Sequence, residues 1–415
     1  LNNHVKLDIV AGPMQGKEFL FTEHDTFLFG RAPECQANLP NDSFVSRYHF
    51  LLEINPPHIR LTDMNSLNGT YVNGVLFGGR KVQGKAQQTD LKDGDRIQVG
   101  ETVFLVKAAL ASPRGETNAP HSPTVDMAVS DMPTLKGESL PLDIPGYTLV
   151  RELGQGAMGQ VYLATSISDG SHAAIKVMRA CGAVSGVSQR IFEREIGILR
   201  SLTHRNIVRF IDSGAADGRL YCVMEYCSRG SVQDLLTRNQ GRLPLNVAVA
   251  LLQQALKGLA CAHAWNFVHR DIKPPNLLVH GTRTHWVVKI ADFGLAKSCD
   301  KAGLSGMTAT GNYGGTLHFM PREQLINYKY VRPVSDVWSL AATFYHMVTG
   351  ALPRDTGNTD DPIGEILNGE IIPLRKRDSG IPEPLARVID HALAIDPADR
   401  YPDASAFQEA FNQVL

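Results

Sequence analysis

The sequence predicts two globular parts of different class: an all-β sandwich, then an α+β unit whose strands precede its helices. Three observations predict this. Short apolar runs broken by turn clusters fill about Val5 to Val106. The 37 residues from Lys107 to Asp143 hold five prolines and no aromatic. From Gly146, strand-like runs give way to a helical period.

At about 150 residues per domain, 415 residues make two or three domains, and 43% hydrophobic residues exclude wholesale disorder. The 41 basic and 42 acidic residues leave a formal charge of −1, so no general field draws nucleic acid, and no nucleic-acid partner is expected. The six cysteines form no CxxC pair, which fits a reducing compartment and argues against a zinc site. No apolar run reaches the ~18 residues of a membrane span and no signal-peptide layout opens the chain. The expectation is a cytoplasmic chain with no membrane segment within it. Because it begins at Leu1 and stops at Leu415, an anchor beyond those residues is left open.

The elements follow in order. Phe27, Leu28 and Phe29, the alternation Ile59, Leu61, and Ile97, Val99 followed by Val103, Leu105 read as strands of a sandwich over residues 5–106. Residues 107–143 carry too little apolar surface to offset ordering entropy and read as a flexible linker, with a random-coil span of about 30–35 Å. Tyr147 to Leu153, Val161 to Ala164 and Ala173 to Met178 read as strands. Gln189 to Leu202 reads as a helix burying Ile191, Ile198, Leu199 and Leu202. A second helix carries Ala248, Leu251, Leu252, Ala255, Leu259 and Ala262 at core-facing spacing.

Chemistry concentrates in the second part. Gly154, Gly156, Gly159 and Val161 form a GxGxxGxV run, whose glycines let backbone approach a phosphate without a β-carbon in the way. Alone the run fits an ordinary glycine-rich turn equally well. A strand follows it rather than a helix, which argues against a dinucleotide fold. Lys176 lies fifteen residues past Val161 on an apolar strand. Most lysines are solvated; one that grips phosphates needs a carboxylate to fix its reach, and Glu195 is a candidate. His269-Arg270-Asp271-Ile272-Lys273-Pro274-Pro275-Asn276 is followed, sixteen residues after Asn276, by Asp292-Phe293-Gly294.

With that ordered set the chain resembles the eukaryotic-type serine/threonine protein kinases, bacterial receptor-type kinases included, over about residues 147–415. The resemblance implies a two-lobed kinase fold, an N-lobe to about residue 226 and a C-lobe from about 227. It implies that Asp271 accepts the substrate hydroxyl proton, that Lys273 steadies the transferring phosphoryl group, and that Lys176, held by Glu195, grips the α- and β-phosphates of ATP. Asn276 and Asp292 would hold Mg²⁺, a hard cation suited to amide and carboxylate oxygens. Leu153, Gly154, Gln155, Gly156, Ala157, Met158, Gly159 and Val161 would line the nucleotide. Ala174 and Leu278 would flank the adenine, Met224 would sit at the rear, and the backbone from Glu225 to Cys227 would supply hydrogen bonds. Lys273 marks the branch that acts on Ser and Thr. Arg400 would pair with Glu323, and Asp336 matches a structural position. His269 reads as a core residue. Arg270 and Lys297 would bind an activation-loop phosphate, and Thr308 and Thr310 are the expected autophosphorylation sites, Thr316 being structural. Where the family has Ala-Pro-Glu, this chain has Pro321-Arg322-Glu323, which alters the loop that receives the substrate.

In the first part, Gly30-Arg31, Ser46-Arg47-Tyr48-His49, Asn65 to Gly74 and Leu91 to Ile97 fall between the strands. Each alone is an ordinary turn. Their order and spacing resemble a forkhead-associated (FHA) domain, an all-β phosphothreonine reader. The resemblance implies that Arg31, Ser46 and Arg47 hold the phosphate, Asn68 holds the peptide backbone and His49 braces the loops. Leu67 stands where such a domain can carry Thr.

The leading expectation is an ATP- and Mg²⁺-dependent serine/threonine kinase. Its reader would bind phosphothreonine partners or the chain's own phosphorylated segments, with a transient homodimer for autophosphorylation. The competing class is a pseudokinase scaffold carrying the same reader. Such readers often select Asp three residues after the phosphothreonine. Thr117, Thr124, Thr134, Thr308 and Thr310 place Pro120, Met127, Gly137, Gly311 and Tyr313 there, so sequence support for self-recognition is thin.

Overall fold

The computed structural model describes residues 4–22, 25–79, 88–109, 142–156, 159–178, 192–194, 196–197, 199–282, 285–293, 317–326, 331–355 and 362–415. Among the described residues eleven strands make the first part: β1 (His4–Ala11), β2 (Glu18–Phe21), β3 (Asp25–Gly30), β4 (Ala37–Asn38), β5 (Phe50–Asn55), β6 (His58–Asp63), β7 (Thr70–Val72), β8 (Val75–Gly78), β9 (Gln88–Leu91), β10 (Arg96–Val99) and β11 (Thr102–Ala109). They form two sheets, ordered β2-β1-β11-β10-β7-β8 and β4-β3-β5-β6-β9. Alternate residues of both sheets meet in one core, Val5, Leu7 and Phe104 from one side and Phe29, Phe50, Leu52 and Leu61 from the other. The Phe29 and Phe50 rings stack at 4.4 Å, and Phe104 meets Phe29 edge-on at 5.3 Å.

One boundary differs from expectation. β11 continues to Ala109, past the expected boundary at 106, because β1 pairs with it from Ala11 back to His4. On β11 the core-facing residues are Phe104 and Val106, whereas Val103 and Leu105 lie on the half-buried face. The pairing register fixes which alternate set faces inward, and both sets here are apolar, so the sequence left either choice open. Of the expected linker, residues 110–141 lie outside the described residues. Ile144, just after it, is buried and bridges to Tyr147.

The second part begins with a five-stranded antiparallel sheet, β12 (Tyr147–Gly156), β13 (Gly159–Ser166), β14 (His172–Met178), β15 (Phe210–Ala216) and β16 (Arg219–Glu225), in the order β12-β13-β14-β16-β15. Between β14 and β15 the described residues of 192–200 are helical and bury Phe192, Ile196 and Leu199. Leu199 and, just beyond, Leu202 are buried as expected, joined by Phe192 and Ile196, while Ile191 and Ile198 lie outside the described residues. A helical lobe follows: α1 (Val232–Arg238), α2 (Leu245–Ala264), the hairpin β17 (Leu277–Gly281) with β18 (Trp286–Ile290), α3 (Arg322–Ile326), α4 (Pro333–Thr349), α5 (Pro362–Asn368), α6 (Leu374–Arg377), α7 (Glu383–Ala392) and α8 (Ala404–Asn412). Ser231 opens α1 with a capping box: its hydroxyl accepts from the Asp234 amide, and the Asp234 carboxylate accepts from the Ser231 amide.

By length and composition α2 is apolar enough to cross a membrane. It is nonetheless the centre of the lobe, with Ala248, Leu251, Leu252, Ala255, Leu259 and Ala262 fully buried, as its spacing predicts. β18 ties this lobe to the sheet-bearing one, where Val208 N donates to Ile290 O and Ile290 N to Asn206 O.

A further apolar cluster joins the two parts of the chain. Leu28, Ala32, Cys35, Tyr48, Leu51 and Met64 of the sandwich are buried together with Leu317, Leu325, Ile366 and Leu367 of the helical lobe. Leu28 and Leu51 stand on the face of their sheet opposite the Phe29 and Phe50 core, so both faces of this sheet are covered. Burying each such Leu, Ile or Met adds about 1.5–3 kcal/mol relative to exposure.

Candidate functional site

Strand register builds the first wall of the site. Val161 pairs with Lys176 and Ala174 with Met224 across β13, β14 and β16. Paired residues share a sheet face, as do Ala174 and Lys176 two apart, so all four present one face. Gly154, Gln155 and Gly156 pair with Val161, Gln160 and Gly159 at the turn end of the β12–β13 hairpin and are exposed. Gly159, at φ +153°, lies so close to β14 that a β-carbon there would overlap the Val177 carbonyl. Ala157 and Met158 lie outside the described residues. Leu153 and Leu278 are half-buried. Met224 and Cys227 are buried, and desolvation pushes the Cys227 thiol up to about 12, which makes it a poor nucleophile. Beside it the Glu225 carboxylate pairs with Lys289 at 3.0 Å and accepts from the Arg209 amide at 3.2 Å, pinning the segment between the lobes.

Lys176, buried in β14, reaches across to the Asp292 carboxylate at 2.8 Å. Desolvation works against the charged form of Asp292, but Lys176 outweighs it, with help from His269 and Lys273, and holds the carboxyl below the usual carboxylate range. Asp292 sits at φ +62°, a left-handed backbone that the surrounding structure must hold in place. Glu195, Gly294, Lys297, Thr308, Thr310 and Thr316 lie outside the described residues.

The loop before β17 holds the remaining groups. Asp271 Oδ2 accepts from Lys273 Nζ at 2.9 Å and from Asn276 Nδ2 at 3.0 Å, and Asn276 Nδ2 also reaches the Asp271 carbonyl at 2.8 Å. Two donors on one oxygen fix the carboxylate plane. Behind this loop, Asp336 on α4 accepts from the amides of His269 at 2.7 Å and Arg270 at 2.8 Å, and from His263 Nε2 at 3.0 Å. That clamp holds Arg270 at φ +70°. His269 accepts from the Asp271 amide through Nδ1, so Nε2 carries the proton given to the Ala291 carbonyl at 2.7 Å, and its ring packs edge-on against Phe293. His269 is a core brace, as the sequence reading holds. Arg400 forks onto Glu323 at 2.7 and 3.1 Å and also donates to the Ala394 and Ile395 carbonyls.

At one end of the sandwich, Gly30 brings β3 so close to the following loop that a β-carbon would overlap the Arg47 carbonyl. The Arg31 amide donates to the Ser46 carbonyl at 2.9 Å. Arg31, Ser46 and Arg47 are thereby gathered, the two arginines exposed. The Ser46 hydroxyl accepts from the Leu67 amide at 2.9 Å, and Asn68 Nδ2 donates to the Phe44 carbonyl at 2.8 Å. Buried His49 accepts from the Ser46 amide through Nδ1 and gives Nε2–H to the Gly69 carbonyl; desolvation lowers its basicity. The sequence reading missed the carboxylates that brace these loops. Asp63 accepts from the Ser66 amide and hydroxyl and the Thr70 hydroxyl, and Asp42 accepts from the amides of Glu101 and Thr102 and the Thr102 hydroxyl. An Asp next to Ser or Thr, as in Asp42-Ser43 and Thr62-Asp63, was the available signal.

A five-stranded antiparallel sheet over a helical lobe, with Lys176, Asp271 and Asp292 between them, defines the two-lobed kinase class. Residues 147–412 match the protein kinase domain and residues 27–100 the FHA domain; the chain belongs to the protein kinase family and carries an FHA domain ahead of the kinase. It is 30% identical over 398 residues to the serine/threonine-protein kinase cds1 of Schizosaccharomyces pombe, covering 92% of this chain and 80% of that one. It is 33% identical over 288 residues to the serine/threonine-protein kinase PknF of Mycobacterium tuberculosis, covering 68% of this chain and 58% of that one. A probable serine/threonine-protein kinase of Clostridium perfringens is 32% identical over 261 residues; the chain spans 36% of its length. The crystal structure of the PknI kinase domain of Mycobacterium tuberculosis superposes with a TM-score of 0.51 at 26% identity, covering 67% of this chain and all of that one.

Proposed function

We propose that the chain is a protein serine/threonine kinase that transfers a phosphoryl group from ATP to Ser or Thr hydroxyls. Its FHA domain would bind phosphothreonine segments of partner proteins or of the chain itself. The carrying observation is the joint arrangement of Lys176 on Asp292 with Lys273 and Asn276 on Asp271. These groups fit a phosphate and its metal. Lys176 is a buried cation on the strand face beneath the glycine hairpin. Asn276 spends its amide nitrogen on Asp271, which leaves its oxygen, with the Asp292 carboxylate, for a hard cation. Among the described residues no three His, Cys, Asp or Glu side chains cluster as a metal cage, which suits a magnesium ion that takes its other ligands from phosphate and water. When bound, Mg²⁺ neutralises phosphate charge. Asp271 would orient the hydroxyl and take its proton through Oδ1, and Lys273 would stabilise charge on the transferring group.

In the reader, Arg31, Ser46 and Arg47 hold the phosphate and Asn68 the peptide backbone. Thr308 and Thr310 are the proposed activation-loop sites, phosphorylated between two copies of the chain. Labelled ATP and Mg²⁺ test the reading: incorporation by wild type should exceed that of Asp271→Ala by at least about a hundredfold. Equal incorporation would leave a pseudokinase scaffold with a phosphopeptide reader. Phosphosite mapping of the same reaction tests Thr308 and Thr310.

A further inference from the structure

We propose that the reader is held at a fixed place beside the catalytic loop, so that the preferred substrates already carry a phosphothreonine at a set distance from the acceptor Ser or Thr. This rests on the kinase activity proposed above and names the substrate class it serves.

The argument starts in the sandwich. A sheet with one solvent-facing side alternates apolar and polar residues. Here β5 reads Phe50-Leu51-Leu52, apolar on both faces, and Leu28, Leu51 and Met64 are 0, 1 and 5% exposed. What covers the outer face is Leu317, Leu325, Ile366 and Leu367 of the helical lobe, and Leu317 belongs to the segment that runs into Pro321-Arg322-Glu323, the loop that receives the substrate.

A polar contact fixes the edge of this interface. Arg322 donates through Nη2 to Glu34 at 2.6 Å and to the Tyr48 oxygen at 3.0 Å, while the Tyr48 hydroxyl donates to the same Glu34 oxygen. Arg322 is, with Pro321, one of the two residues by which this chain departs from the Ala-Pro-Glu it resembles. Two positions on, Gln324 donates to the Arg270 carbonyl at 2.6 Å, and Arg270 precedes Asp271. One short helix, α3, therefore touches the reader with one side chain and the catalytic loop with another.

Docking does not close the reader. Arg31 is exposed and the Arg47 side chain is 65% exposed. Arg47 comes only to 4.0 Å from Glu34, whose carboxylate is taken by Arg322 and Tyr48, so its guanidinium stays available to a phosphate. A phosphothreonine bound there would place residues a few positions away near Asp271 without an entropic search. A reader on a flexible tether would give a weak, broad dependence on spacing; a docked reader gives a narrow one.

The test is a peptide series with one phosphothreonine and one serine separated by about 4 to 16 residues, a reach of roughly 13 to 56 Å. Each peptide is assayed with the full chain beside its unphosphorylated twin, and phosphopeptide affinity is titrated separately. At the best spacing, kcat/KM should exceed that of the twin by about a hundredfold. Glu34→Gln should cut that advantage to about tenfold or less and flatten the spacing optimum, with twin rates and phosphopeptide affinity within about threefold of wild type, and Arg322→Ala, in the loop that receives the substrate, should flatten the optimum likewise, read as each phosphopeptide's rate over that of its own twin. Leu367→Glu, on the kinase side of the apolar contact, should flatten it too while leaving the reader intact. Turnover of the twins with no preference for phosphothreonine at any spacing overturns the proposal, as does an optimum that survives all three substitutions. Absence of transfer to every peptide, relative to Asp271→Ala, removes the kinase reading itself and this proposal with it.

Discussion

Lys176 Nζ lies 2.8 Å from Asp292 Oδ2, so the cation proposed to grip phosphate and the carboxylate proposed to hold metal offset each other's charge. Binding of a nucleotide without metal has to separate them. Asp292→Asn should therefore bind metal-free ADP about fivefold more tightly, having lost the carboxylate that competes with phosphate for Lys176, while turnover with Mg²⁺ and ATP falls at least about a thousandfold. Calorimetric titration and a peptide assay measure the two. A fall in both would show that the pair does not oppose nucleotide binding.

The same pair carries a pH signature. The Asp292 carboxyl is held below its ordinary value of 3.8 by Lys176, against the pull of desolvation. A group depressed on folding contributes stability that is full above its unfolded value and lost as pH falls through its folded one. Acid unfolding of wild type should thus be steeper below about pH 3.8 than that of Asp292→Asn. Identical slopes by circular dichroism would count against the pairing.

Asp336 is the residue on which the shape of the catalytic loop depends, because its two oxygens take three donors and hold Arg270 at φ +70°. An amide in its place offers one acceptor oxygen and presents N–H to N–H. Asp336→Asn should lower kcat by about 10- to 100-fold with KM for ATP within about twofold, since the loop moves and the nucleotide wall does not. A change confined to KM would argue against the clamp.

Arg400 is buried and Glu323 partly so, joined by two parallel hydrogen bonds. Removing one partner strands the other, and Arg400→Ala should destabilise the helical lobe by about 3–5 kcal/mol. Arg400→Lys keeps the charge but cannot reproduce the fork or both carbonyl contacts, and should recover less than half of that loss. Urea unfolding at constant slope reads both values; full recovery with Lys would mean that charge alone matters.

How much was legible in the sequence follows from how local each signal is. The glycine hairpin, the Asp271 to Asn276 loop and the stripe on α2 lie in contiguous stretches, and their spacing carries their geometry. The gathering of Arg31 with Ser46 and Arg47 was legible for the same reason, since a glycine precedes one arginine and a serine the other. The Arg322 contact with Glu34 spans 288 residues, and nothing local marks it. The apolar run Phe50-Leu51-Leu52 was visible but reads as an ordinary buried strand until its second face has a partner. Register on β11 was not legible, because two apolar alternations compete there and only pairing with β1 and β10 decides between them.

The five residues of α3 hold three bodies at once: Arg322 the sandwich, Glu323 the scaffold arginine, Gln324 the catalytic loop. Each residue of a helix turns its side chain by about 100°. Inserting or deleting a single residue in α3 would therefore point every following side chain at the wrong body, and no rotamer change can restore three attachments together. A one-residue insertion here should therefore uncouple the halves of the protein.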